Sequence, residues 1–467
     1  MEKIVAIAFL QVRAAIRSKL FVSLMGVLVL ALIGLPATIK GDGTLMGQIK
    51  VLLYYTLGLT TIILGVATLW AASGAISQEV ESRQIQLVVV KPVHHFQIWF
   101  GKWLGLLAMN AALLCLTGLI MWGLVQWTMR SSGVSKQERR MVREELLAGR
   151  ELFRPHDTLQ QDTLDRYNDL LRKGALSADF PRAEALLAIK KEFLAEKTVV
   201  KPSSAKQWFI EMPDGLSGVA GGDTAEVMLK IQFTPVRAGT NPVSGRWSVG
   251  TEHEPDIYSM TTNNTMDGLY RITIPVDPAL VQKVISEPGR KLVVDYKNDD
   301  DTKSRSVIFD RTSGVELYIR QSGFESNLVR ALLIVLCRIA LLAALGLTAS
   351  TMFSFPVATF TSFAILMISF LTHYFIFLSE MEGHVHDSGE AKESYWHVAS
   401  DKAVRKLNAA FEPVMEIKAV SPLSDGVLVS WNDVGKAVLI SAVLYSGLLG
   451  VVGILLFRRR ELALPYT

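Results

Sequence analysis

ISQEVESRQIQLVVVKPVHHFQIWFGKWLG, Ile76 to Gly105, decides how the chain is read. On either side lie runs almost free of charge for about a membrane thickness, Val51 to Ile76 and Trp103 to Trp127. Within the stretch, Glu79, Glu81, Arg83, Lys91 and Lys102 arrive together, and Lys91-Pro92 splits it. Proline disfavours helix at the residue before it but fits the first turn of a following helix. The spacing predicts a short helix that stays in water, a break, and a second helix that enters the membrane. Spacing alone is met equally well by a plain solvated hairpin between two spans.

A chain of 467 residues would ordinarily suggest about three soluble domains. Half of its residues are hydrophobic and they fall in long uncharged runs, so it reads as a polytopic membrane protein with a soluble insert. The net charge of +4 gives no reason to propose nucleic acid as a partner. Cys115 and Cys337 both lie in apolar runs and fit packing better than a disulfide or metal site. The first apolar run begins after Lys19 and has no small-residue cleavage site, which predicts a retained span rather than a signal peptide.

Taken in order, Met1 to Lys19 mixes apolar residues with Lys3, Arg13, Arg17 and Lys19, as an interfacial helix would. Spans follow at Leu20 to Ile39, Val51 to Ile76 and Trp103 to Trp127, the second carrying Gly58, Gly65, Ala71, Ala72 and Gly74, small residues that allow close helix approach. This first block, 1–130, contains the loop 77–100. Charges then appear every few residues. Residues 131–204 read as a helical stalk of three helices broken at Arg154-Pro155 and Phe180-Pro181. Residues 205–322 alternate: Val227, Leu229, Ile231 and Phe233 share one face, as do Tyr270, Ile272 and Ile274, Val307 and Phe309, and Val315, Leu317 and Ile319. A small antiparallel β-sandwich is expected there. Block 323–379 holds spans four and five, joined by a tight turn at Ser350 to Pro356; 380–433 is a second hydrophilic loop; 434–467 holds span six and a tail beginning Arg458-Arg459-Arg460.

The fold class expected is therefore a polytopic α-helical membrane protein of six transmembrane helices with an extracytoplasmic stalk and β-sandwich. Basic residues beside the spans, at the N-terminus, at Arg83, Lys91 and Lys102, and at the arginine triplet, fall on one side, which the positive-inside rule makes cytoplasmic. Both termini then face the cytoplasm and both hydrophilic loops face outward. No G-x-x-x-x-G-K-[ST] run is present; Gly101-Lys102 and Gly435-Lys436 lack the upstream glycine and the following hydroxyl of a phosphate cradle.

The Glu-x-Glu, the Leu-Val-Val-Val ending, the Lys-Pro-Val break and Gly-Lys-x-Leu-Gly resemble the first cytoplasmic loop of ABC type-2 transporter permeases. Phe353-Ser354-Phe355-Pro356 and the end from Pro422 to Ala463 resemble the same family, particularly members with a large external insert. The resemblance implies a coupling helix over Glu79 to Val90, with Glu79, Glu81 and Arg83 as polar contacts to separate ABC ATPase subunits and Leu87, Val88 and Val89 as apolar ones, before Lys91-Pro92. It further implies a dimer with a second permease protomer, a copy or a related paralogue, in the lipids of a bacterial inner membrane. No cofactor is expected in this chain, which would not be an enzyme; ATP and Mg would sit on the ATPase. An export permease is the leading expectation. The alternative is a mechanotransmission subunit that moves nothing across the membrane but works its external domain on an envelope protein; a membrane sensor without an ATPase is a third.

Arg338, mid-span, is expected to face the bundle interior, a dimer partner or water, with structural pairing favoured over substrate contact, and His373 to be a packing residue on the same weighing. His384, His386 and His397, and His253 between Glu252 and Glu254, fit solvated loops better than metal sites.

Overall fold

The computed structural model describes residues 2–17, 19–38, 44–82, 93–130, 135–156, 158–176, 182–212, 227–236, 243–254, 258–264, 269–298, 305–310, 314–382, 406, 409 and 419–459. They form two compact units: Met1–Gly149 together with Gly323–Thr467, and Arg150–Ser322. The protein is mostly helical with some antiparallel sheet.

In the first unit, α3 (Leu45–Glu81), α4 (His95–Arg130), α9 (Phe324–Met352), α10 (Phe355–Glu382, over Phe355–Thr372) and α12 (Trp431–Arg459) are long and apolar enough to cross a membrane. The N-terminal α1 (Glu2–Arg17) and α2 (Leu20–Thr38) are bent by 68°, and make a sixth candidate if the pair is one broken span. The multi-pass organisation read from the apolar runs is thus present.

Small residues set the central packing. A Cβ on Gly346 of α9 would lie 2.7 Å from Ala72 Cβ and 2.9 Å from the Leu69 carbonyl of α3, so the two backbones touch where a larger side chain would part them. Gly58, in contrast, faces open space. Several buried hydroxyls are bonded within or between these helices. Thr56 and Thr60 donate to the carbonyls of Leu52 and Thr56 at 2.5 and 2.7 Å, and Thr68 donates to Asn110 Oδ1 of α4 at 2.9 Å.

The turn expected at Ser350 to Pro356 is narrower than read. Helix α9 continues through Met352 and α10 starts at Phe355, leaving Phe353 and Ser354 between them. Helix α12 opens on a capping box, Ser430 Oγ accepting from Asp433 N at 3.1 Å and Asp433 Oδ2 from Ser430 N at 3.3 Å. Its Val438–Tyr445 segment is a π-helix, and Ser446 Oγ donates to Ser441 O, five residues back, at 2.8 Å. Two short pieces, α5 (Lys136–Glu145) and α11 (Val420–Ser424), also belong to this unit. Glu138 Oε1 of α5 accepts from Leu45 N at the start of α3 at 2.9 Å. Asn327 of α9 holds the chain after α11, donating to Val427 O and accepting from Val429 N at 2.9 and 2.7 Å.

In the second unit, the helices α6 (Leu159–Arg172) and α7 (Arg182–Thr198) pack on Tyr167, Ala185 and Ile189. The helix-rich segment also contributes strands, β1 (Ala148–Phe153) and β2 (Val199–Val200). One sheet runs β1–β10 (Val315–Gly323)–β4 (Val227–Pro235)–β9 (Val307–Phe309)–β2, with β7 (Tyr270–Val276) also on β4; the other runs β3 (Ala205–Glu211)–β8 (Lys291–Asn298)–β5 (Val243–Thr251)–β6 (Tyr258–Asn264). The expected alternation on β4 holds, with Val227, Leu229, Ile231 and Phe233 buried and the residues between them half-exposed. Both sheets contribute to one core, closed by the short α8 (Pro278–Ser286). Its centre is aromatic: Trp247 lies 4.4 Å from Tyr296 and 5.7 Å edge-on from Phe309, and Phe233 lies 5.7 Å from Phe309.

Because β1 and β2 border the first sheet, residues 150–322 are expected to unfold cooperatively as an excised fragment with β-type circular dichroism, whereas 205–320, lacking both strands, unfolds at a lower temperature. A disordered 150–322 fragment would show that the unit needs the rest of the chain. Lys206, its ammonium 5.0 Å above the Trp208 ring, supplies a pH test. Burial, reinforced by Lys197, lowers its pKa to about 8. The unfolded chain then holds more protons between pH 8 and the ordinary lysine value of about 10.4, so this side chain costs stability below pH 8 and the cost fades as pH rises. The stability of Lys206→Met relative to the native fragment should therefore fall between pH 7 and pH 10; a pH-independent difference refutes the assignment.

Candidate functional site

Helix α3 does not stop at the membrane-length run. Nothing in Ser77 to Glu81 breaks a helix, and the chain leaves it at Ser82, whose hydroxyl donates to Gln78 O at 2.7 Å. Glu79 and Glu81 thus form the last turn of a 37-residue helix, not the opening of a separate short one. Arg83, Leu87, Val88, Val89, Lys91 and Pro92 lie outside the described residues.

Both glutamates have partners inside the chain. Lys102 of α4 is 4% exposed, and its ammonium donates to Glu79 Oε1 at 2.6 Å, to the Ala75 carbonyl at 2.8 Å and, more weakly, to Gln11 Oε1 of α1 at 3.4 Å. Three acceptors match the three donors of an ammonium, the condition under which a buried charge is tolerated. Glu81 Oε1 accepts from the backbone N–H of Phe355 at 3.1 Å and so meets the positive end of α10. Phe355 also packs edge-on against Trp70 of α3, at 5.7 Å.

The glycines of Gly-Lys-Trp-Leu-Gly let α1 reach this point. They are four apart, on one helix face. A Cβ on Gly101 would come within 2.8 Å of Ile7 Cβ, and one on Gly105 within 2.8 Å of Ala8 O and 2.7 Å of Gln11 Cβ. The helices α1, α3, α4 and α10 are therefore joined at the end of α3.

Arg338 lies half-buried on α9 between Cys337 and Ile339, and the side chain of His373, in α10, lies outside the described residues, as do His384, His386 and His397. Among the described residues no group of three His, Cys, Asp or Glu side chains is placed to hold a metal. Beside His253, Glu254 pairs with Lys283 at 2.6 Å, which holds its carboxyl below the usual range. The role of Lys102 was missed in the sequence. Its one signal there is a lone charge inside an otherwise apolar helical run.

No protein-family model, curated protein or solved structure matches the chain.

Lys102→Met leaves Glu79 facing an apolar side chain. It should lower the thermal stability of the detergent-solubilised protein by about 1–3 kcal/mol, below the usual cost of breaking a buried pair because Glu79 is partly exposed. Adding Glu79→Gln should recover part of the loss. A double variant no more stable than the two losses added would show that the groups are not coupled.

Proposed function

We propose that the chain is the permease subunit of an ATP-binding cassette exporter, driven through the 83–92 loop by separate ABC ATPase subunits that carry ATP and Mg. The observation that supports this best is the node at the end of α3. A force on the loop enters a helix end bound to α4 and α1 through Lys102, and to α10 through Glu81, so that one displacement reaches four helices. A buried ammonium held by three acceptors moves with them or exchanges partners, which suits a two-position device better than a passive hairpin.

In this reading α1 lies at the membrane surface and α2 provides the sixth crossing, both termini face the cytoplasm of a bacterial inner membrane, and the Arg150–Ser322 unit lies outside. Partners are the ATPase, a second permease protomer, lipids and an envelope protein at the external unit, with no role for nucleic acid. The separate core of Arg150–Ser322 favours a second reading, mechanotransmission without transport. Transmitters with four spans place their large domain after the first span; here it follows the third, which favours export.

The node changes how docking must be tested. Charge reversal at Glu79 and Glu81 would break internal bonds as well as any external contact. Leu87→Glu with Val89→Glu should instead release an ABC ATPase co-expressed from the same operon into the soluble fraction, with the permease still inserted at normal levels. ATPase retained with undiminished activity would count against docking at the loop.

Orientation has a separate check. A membrane-impermeant maleimide added to intact cells should label cysteines placed at Ser204 or Ser388 and spare those at Ser82 or Ser354. Labelling at Ser82 from outside reverses the topology.

A further inference from the structure

A cavity of about 790 Å³ adjoins the node within the first unit, in the upper part of the range of roughly 300–1,000 Å³ typical of ligand sites. Its lining combines polar and apolar side chains. Lys19 and Ser23 come from the start of α2, Gln78 and Glu79 from the end of α3, and Trp70 with Met109 from the apolar wall.

Two helix ends of opposite polarity thus face one space. Lys19, at φ +59°, is the hinge between α1 and α2, and Ser23 N donates to Lys19 O at 2.8 Å in the first turn of α2. Helix N-termini favour anions, and Lys19 adds a full positive charge. On the same lining, the C-terminus of α3 favours cations and Glu79 adds a negative charge. Glu79 commits Oε1 to Lys102, yet its side chain is 33% exposed and a carboxylate accepts about four hydrogen bonds.

We propose that this cavity binds a membrane amphiphile with a zwitterionic phosphate–primary amine head: phosphate at Lys19 and Ser23, ammonium at Glu79 and Gln78, and an apolar chain along Trp70 and Met109. A primary ammonium supplies three donors for these acceptors; a quaternary ammonium supplies none, and an anionic glycerol head brings no ammonium to the lone pairs that Glu79 keeps beside Lys102. A ligand held in this way bridges α2 and α3 beside the Lys102 node. The site stands without reference to any ATPase, so its failure and the failure of the exporter reading are separable.

The test is native mass spectrometry of the full-length protein extracted from nanodiscs containing equal parts of phosphatidylethanolamine, phosphatidylcholine and phosphatidylglycerol of one acyl composition. The native protein should retain phosphatidylethanolamine about tenfold over each of the others; Gln78→Leu should remove that preference and Lys19→Gln should lower retention of all three lipids, with the melting temperature unchanged in both. Equal retention of the three lipids by the native protein overturns the proposal without use of any variant. A preference that survives Gln78→Leu, or retention unchanged in Lys19→Gln, also overturns it, by placing the retained lipid elsewhere.

Discussion

The buried ammonium of Lys102 is the constraint on which the first unit depends. A charge inside an apolar bundle has to be surrounded by acceptors, and the three it finds belong to α3 and α1. The requirement fixes the rotation of α4 about its axis and the depth at which α1 crosses it. Aliphatic contacts among leucines would tolerate a slip of one residue; an ammonium between a carboxylate and a carbonyl does not. Gly101 and Gly105 have meaning only in that setting, since they bring the α1 backbone near enough for Gln11 to reach. Such a pair adds more to uniqueness of arrangement than to stability, because desolvation of both ions offsets much of their attraction.

Much of the architecture was legible in the sequence because it is written locally. A run of about twenty apolar residues has few alternatives to a membrane helix, and the period of two on β4 survives as alternating burial. Features that rest on distant partners were not legible. Strand β1 is six residues of mixed composition within a helix-rich stretch, and it is a strand because β10, far along the chain, pairs with it. Glu316 breaks the apolar pattern of β10, yet it is nearly buried because Arg154 and Tyr318 bond it, with Arg154 Nη2 at 2.7 Å.

The candidate site divides in the same way. Glu79 and Glu81 stood out by their charge beside an apolar run. Their internal partners, Lys102 and the Phe355 N–H, come from other parts of the chain, and no local pattern announces them. The second span was expected to end at Ile76; the structure carries α3 on to Glu81, with Ser82 capping it. The acids are therefore structural at least on one side, and a role in docking would have to share them.

The way Arg150–Ser322 closes on itself bears on how it could be used. Its first and last strands, β1 and β10, are hydrogen-bonded neighbours in one sheet. A domain whose first and last strands are paired in this way joins its host chain through neighbouring strands of one sheet. The same pairing limits what such a domain can transmit. A pull that separated the two ends would have to break the β1–β10 ladder before it deformed the aromatic core around Trp247 and Phe309, whereas a displacement of both ends together would carry the sheets with it intact.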